Sequence, residues 1–222
     1  MPPADYSFGG RLWITQQSGL AGKFNTSFAS SDVLAVYKLN KIEIPAALAA
    51  ALAGKRGLAA ADAICAIEAV ALGLVTEPTG LSRYKALLVD EAGCDGKPCR
   101  RASVTPGVGD GAIDWVIKAS AAYFKLDNQT LVAVSNLTRM LGKQGNGSAV
   151  LGGGNQLAPM SAGWTTPSNS TCNSWRWSVG MPGGPFGVNL GGAGWPGQPL
   201  YGDQGRLFPC DAGDFVCVEM SN

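Results

Sequence analysis

The chain has 222 residues, 46% of them apolar, and 17 basic against 16 acidic side chains for a net charge of +1. That length can bury one sizeable core, and so even a charge balance excludes a broad basic face for nucleic acid and an acidic tail. Histidine is absent altogether, which removes the commonest general base, the commonest zinc ligand and every Ser-His-Asp or Cys-His arrangement.

The opening MPPADYSFGG has no basic start followed by an apolar core. A natural leader is therefore expected to lie outside this sequence. Residues 10–16 (GRLWITQ) read as a first strand, with Trp13 and Ile14 in a β-prone run. Small and polar residues from Gly19 to Asp32 suggest a loop, and Val33 to Ile44 alternates enough for a strand or hairpin. Pro45 suits the first turn of a helix through AALAAALA, a stretch too short to span a bilayer. A second helix is predicted from Leu58 to Leu72. Leu58, Ala61, Ile64, Cys65, Ile67 and Glu68 share its spacing, so Cys65 belongs on or beside the buried face. The basic pairs Lys55-Arg56 and Arg100-Arg101 read as solvated surface.

Tyr84 to Asp90 (YKALLVD) reads as a strand closed by a turn through Gly93 and Gly96. Ile113 to Ala119 (IDWVIKA) alternates like a second strand, and Thr130 to Val134 reads as a third, short one. More than half of the 31 glycines fall between residues 141 and 205, together with Trp164, Trp175, Trp177 and Trp195. That stretch is too rich in glycine and proline for regular structure and too rich in tryptophan for disorder, so it reads as a long ordered loop region. Asp214 to Met220 closes the chain as a strand, with Phe215, Cys217 and Glu219 on one face and Val216, Val218 and Met220 on the other. Helices and strands do not alternate regularly, which favours α+β over a doubly wound sheet. No internal repeat is visible, and the expectation is a single domain over residues 1–222.

Six cysteines, an even count without a CxxC pair or a histidine, argue for three disulfides and against a zinc site. Disulfides imply an oxidising compartment, hence a secreted or cell-surface protein. The spacing leaves the pairing open, although Cys210 and Cys217 lie too close to bridge easily across a strand end.

Several groups could carry chemistry. Hydrolysis of sugars needs two carboxylates flanking one bond, and Asp90/Glu91, Asp110/Asp114, Asp211/Asp214 and Glu219 are available. Asp90 and Glu91 suit a turn, Glu219 suits a structural hydrogen bond, and no spacing singles out a pair. The glycine runs at 107–111 and 152–155 lack the Lys-Ser/Thr ending of a phosphate loop and read as turns. Tryptophan faces stack on sugars and anchor interfaces, but a loop region also needs aromatics for its own small core. Trp164 and Trp175 are expected inside it; Trp177 and Trp195, with Tyr201, are the candidate ligand-binding residues. Asn-x-Ser/Thr sequons start at Asn25, Asn128, Asn136, Asn146 and Asn169 and would accept glycans only in a eukaryotic secretory host.

The blocks GLAAADAIC (57–65), YKALLVD (84–90), RRA (100–102), IDWVIKA (113–119), GWTTPSNSTCNSW (163–175) and FVCVE (215–219), after the opening LWIT (12–15), have a recognisable order. They resemble a bacterial domain family of unknown function, frequent in spirochaete lipoproteins and other surface proteins and similar to endostatin and the C-type-lectin-like fold. The resemblance implies a C-type-lectin-like fold with small antiparallel sheets, one or two helices and a long loop region. It also implies the pairs Cys65–Cys217 and Cys172–Cys210, leaving Cys94–Cys99 as a local staple. Residues 19–56 depart from the pattern and read as an insertion. The calcium signatures of sugar-binding C-type lectins are missing: Glu77-Pro78-Thr79 is a partial match in the wrong place. Endostatin's zinc-binding histidines have no counterpart.

The functional expectation is a non-catalytic extracellular recognition or adhesion module that binds a carbohydrate or protein ligand through residues 141–205. It has no cofactor, no metal, no nucleic-acid partner and no transmembrane segment. The alternative is a homo-oligomeric subunit of a surface assembly or filament, with a secreted glycoside hydrolase third.

Overall fold

The computed structural model describes residues 5–15, 55, 57–74, 81–142, 156–157, 187–188 and 215–221. In chain order these form β1 (Ser7–Ile14), α1 (Leu58–Ala71), a 3-10 turn (Leu81–Arg83), β2 (Tyr84–Ala86), β3 (Ala121–Phe124), β4 (Leu131–Ser135), β5 (Leu141–Gly142), β6 (Gln156–Leu157), β7 (Gly187–Val188) and β8 (Val216–Glu219). Six strands make one mixed sheet in the order β2-β8-β1-β3-β4-β5, and β6 and β7 pair separately. The class is α+β, as expected.

Strand β1 organises the sheet by changing partner along its length. Its first half runs parallel to β3 (Ser7 opposite Ala121), and its second half runs antiparallel to β8 (Leu12 opposite Val218, Ile14 opposite Val216). The change falls between Arg11, still opposite Phe124, and Leu12, and the β1–β3 register is itself irregular between Phe8 and Gly10. Gly10 sits at φ 135°, and a Cβ there would lie 1.7 Å from the Glu219 carbonyl oxygen, so only glycine lets β8 close on β1 at that point.

The period of two along the β2–β8–β1 ribbon divides the interior. Trp13, Tyr84, Ala86, Leu88, Phe215 and Cys217 face α1 and form one cluster with its Leu58, Ala61, Ile64 and Cys65. Leu12, Leu87, Val89, Val216 and Val218 face the other way, against Val116, Ile117, Tyr123 and Val132. The ribbon is thus buried on both faces, and the alternation expected for Phe215 to Met220 is the one observed. Trp13 makes an edge contact with Tyr84 at 6.1 Å between centroids and donates its indole N–H to Glu68 at 2.9 Å, which satisfies both polar groups inside the cluster.

Helix α1 stays close to the predicted span. It ends because Gly73, at φ 68°, reverses the chain: Leu74 N–H bonds Ala69 C=O and Gly73 N–H bonds Val70 C=O. The Leu74 carbonyl then accepts the Tyr84 hydroxyl at 3.2 Å, tying the helix end to β2.

Cys65 bonds Cys217, joining α1 to β8 across 152 residues, and Cys94 bonds Cys99. Two of the three expected disulfides are therefore present among the described residues. Cys172 and Cys210 lie outside them, as do the first predicted helix, Val33–Ile44 and the 19–56 insertion, apart from the single residue Lys55.

Four expectations need correction. In place of small antiparallel sheets there is one six-stranded mixed sheet, because β1 enters alongside β3 in the same direction. Ile113–Ala119 is not a strand: only Ile113 bridges, to Arg101. Val116 and Ile117 are buried there, while the Lys118 amide donates to the Tyr123 hydroxyl at 2.7 Å. The two buried side chains are neighbours rather than alternate residues, and no described strand pairs with them. The regular part of the 84–90 strand stops at Ala86, although Leu87 N–H still reaches Val216 C=O. Finally, Arg100 is not solvated surface but 1% exposed.

Candidate functional site

Trp177, Trp195 and Tyr201, the expected ligand-binding residues, lie outside the described residues, as do Trp164 and Trp175. Within 141–205 the structure places β5 at the sheet edge and the ribbon of Gln156 opposite Val188 and Leu157 opposite Gly187. That ribbon draws together two distant parts of the loop region.

The described carboxylates of the candidate pairs each have structural partners. Asp90, 2% exposed, accepts the Gly93 amide at 2.9 Å and the Ala92 amide at 3.2 Å, the turn role expected of it. Glu91 meets Arg101 at 3.4 Å. Asp110 accepts the Thr105 amide and hydroxyl, both at 2.8 Å, and the Ser103 hydroxyl at 3.0 Å. These donors hold its carboxyl down at about 2. Asp110 therefore folds the 103–111 loop around itself, and the glycine run is a turn-forming stretch, with Gly107, Gly109 and Gly111 all at positive φ. Asp114 instead joins Lys85 and Arg100. Asp110 and Asp114 are thus drawn to different partners, and Asp211/Asp214 lie outside the described residues. Among the described residues no group of three or more His, Cys, Asp and Glu side chains is placed to hold a metal ion.

Two arginine-centred clusters remain, and they differ in kind. The first is closed. Arg100 donates Nη1 to Asp62 at 2.9 Å and to the Ala86 carbonyl at 2.8 Å. Its Nη2 reaches Asp62 at 2.8 Å and Asp114 at 2.7 Å, and its Nε reaches the Asp114 carbonyl at 3.0 Å. All five guanidinium N–H groups have acceptors. Burial pulls the Arg100 pKa down, but the bonds to Asp62 and Asp114 outweigh it and raise it. Burial likewise pushes Asp114 up, and its bonds to Lys85 and Arg100 bring it lower overall. This cluster joins GLAAADAIC, YKALLVD, RRA and IDWVIKA into one unit.

The second cluster is open. Glu219, with its side chain 3% exposed, sits opposite Tyr84 on β2 and beside Arg11 on β1. Arg11 uses Nε and Nη2 on both carboxylate oxygens, the Nη2 contact at 2.9 Å. Arg83 then finds only one oxygen, Oε1 at 2.6 Å, and its neighbouring buried Nε has no partner. The Arg83 guanidinium also lies 5.6 Å from the centre of the Tyr84 ring. Glu219 thus has the hydrogen-bonding role expected of it, with two cations on one carboxylate. Arg11 and Arg83 were not singled out from the sequence. The available signal was their place, Arg11 within the strand GRLWITQ and Arg83 just before YKALLVD, too weak without the sheet register.

Among the described residues no helix is long and apolar enough to cross a membrane. Residues 48–190 match the model of a family described as "Protein of unknown function (DUF1554)". The match covers more than half of the chain, which belongs to that family. No curated protein and no solved structure matches it.

Proposed function

We propose that this member of the DUF1554 family is a secreted or cell-surface recognition module of C-type-lectin-like fold, which binds a carbohydrate or protein ligand without catalysis. The observation that carries the reading is the Cys65–Cys217 bond, which locks a helix onto the last strand while β8 lies antiparallel to β1. That arrangement brings the two ends of the domain together on one rigid ribbon, and a loop region anchored on such a ribbon can vary without disturbing the core. Disulfides also suit an oxidising compartment. In this reading Cys172–Cys210 closes the loop region, and Trp177, Trp195 and Tyr201 supply its contact surface.

The test is a glycan array and a panel of immobilised extracellular proteins, probed with the wild-type domain and with Trp177→Ala, Trp195→Ala and Tyr201→Ala. A ligand bound by the wild type and lost in at least one variant, with unchanged circular dichroism, supports the reading. Binding untouched by all three variants places the surface elsewhere. A solution mass showing a stable oligomer with no ligand on either panel favours the structural-subunit alternative.

A further inference from the structure

The cluster contacting α1 includes the cross-strand row of Trp13, Cys217 and Ala86 on the β2–β8–β1 face. The next cross-strand row on that face is Tyr84, Glu219 and Arg11, with Arg83 reaching over it from the 3-10 turn. This row carries two guanidiniums and one carboxylate, an excess of one positive charge. Glu219 Oε1 accepts from Nη2 of both arginines, at 2.9 and 2.6 Å, so the two guanidiniums can stand no farther apart than those two bonds laid end to end. Arg11 spends its side-on edge on Glu219 and keeps Nη1 unused. Arg83 spends one N–H and keeps both donors of its Nη1. The Arg83 side chain is 37% exposed and that of Arg11 19%, so solvent reaches the pair while Glu219 beneath them is sealed.

A guanidinium end edge presents two parallel N–H groups that match two oxygens of one acidic group. Two such groups held side by side by a buried carboxylate keep their spacing before any ligand arrives, so little side-chain entropy remains to be lost on binding. The Arg83 cation is further steadied by the Tyr84 ring. Arg100 offers a contrast within the same molecule: it has no unspent donor and is buried, so it can take nothing.

We infer that Arg11 and Arg83 form a binding site for a small oxyanion group, sulfate or carboxylate, either free or carried on a larger acidic ligand. The site lies apart from Trp177, Trp195 and Tyr201 in sequence and does not depend on the loop region being the recognition surface.

The test follows the arginine Nε–H resonances by NMR during titration with sodium sulfate, with sodium chloride at matched ionic strength as control. The expected result is a saturable shift of Arg11 and Arg83 with sulfate only. Arg83→Gln should weaken it about tenfold, the loss of one charge-assisted bond. The exposed Arg139, as Arg139→Gln, should leave it unchanged, and Arg83→Lys, which keeps the charge without the fork, should fall between. Core amide shifts in the same spectra report whether each variant is folded. A sulfated disaccharide provides the second arm: tighter binding than sulfate assigns the site to a carried group, and equal binding assigns it to the free ion. A linear shift indistinguishable from chloride, or unchanged affinity in folded Arg83→Gln, overturns the proposal.

Discussion

Arg100 and Asp62 meet fork to fork, Nη1 on Oδ1 at 2.9 Å and Nη2 on Oδ2 at 2.8 Å, and together they enclose the outer edge of β2. Ala86 faces away from β8 with both backbone groups: its N–H donates to Asp62 at 2.9 Å, and its C=O accepts from Arg100 at 2.8 Å. A sheet edge with free N–H and C=O groups is a template for another strand. Here an ion pair from the helix and a loop takes the place of that strand.

Replacing Arg100 by Met should accordingly cost about 3 kcal/mol, the low end for breaking a buried ion pair. The low end applies because Asp62 is 25% and Asp114 44% exposed, so both regain some water. Adding Asp62→Asn should recover part of the loss, since no uncompensated carboxylate then faces β2. Urea unfolding of the two variants measures both numbers. A loss below about 1 kcal/mol for the single variant would assign Arg100 the energetics of an ordinary surface charge.

The two disulfides should differ in what they contribute. Cys65–Cys217 closes a loop of 152 residues and Cys94–Cys99 one of 5. By the chain-entropy estimate their removal costs about 5 and about 2 kcal/mol respectively. Paired Cys→Ala variants compared by thermal unfolding provide the check. Equal losses, or a larger one at Cys94–Cys99, would contradict the idea that the long bridge is the main brace.

Gly10→Ala should destabilise the domain by about 3 kcal/mol or more, because left-handed backbone strain adds to overpacking against a strand. The added methyl would sit 1.7 Å from the Glu219 carbonyl oxygen, at the irregularity in the β1–β3 register. Gly73→Ala, at φ 68° with nothing within 4 Å of its Cβ, should cost only about 1 kcal/mol of backbone strain. Chemical denaturation ranks the pair, and a reversed order would mean that β8 and β1 can separate without loss.

Acid should loosen the 103–111 loop late. Asp110 titrates at about 2 in the folded chain against an ordinary 3.8, because Thr105 and Ser103 donate to its ionised form. A carboxyl whose folded pKa is depressed contributes stability that is complete above the unfolded value and disappears as pH falls through the folded one. Hydrogen exchange at the Thr105 amide should therefore stay slow at pH 4, relative to its intrinsic rate, and accelerate toward pH 2. Asp110→Asn should bring fast exchange at every pH. An Asp110 carboxyl resonance titrating near 3.8 would refute the assignment.

Local pattern carried some of this architecture a long way. The residues around Cys65 repeat at helical spacing and form α1, and FVCVE alternates between two apolar clusters because β8 is buried on both sides. The α+β class and the turn role of Asp90 were likewise legible, since each rests on neighbours within a few residues. The Cys65–Cys217 pairing was legible only through the family resemblance, because spacing does not tell one cysteine partner from another. IDWVIKA misled for a definable reason: its residue pattern suits a strand, but a strand also needs a backbone partner in register, and the residues buried here are the neighbours Val116 and Ile117. Arg100 and Arg101 read alike in sequence, yet one is buried and the other part-exposed. What separates them is Asp62, thirty-eight residues earlier, and Asp114, fourteen later. A charge enters a protein interior only when opposite charges and carbonyls converge on it, and that convergence is a property of the folded chain.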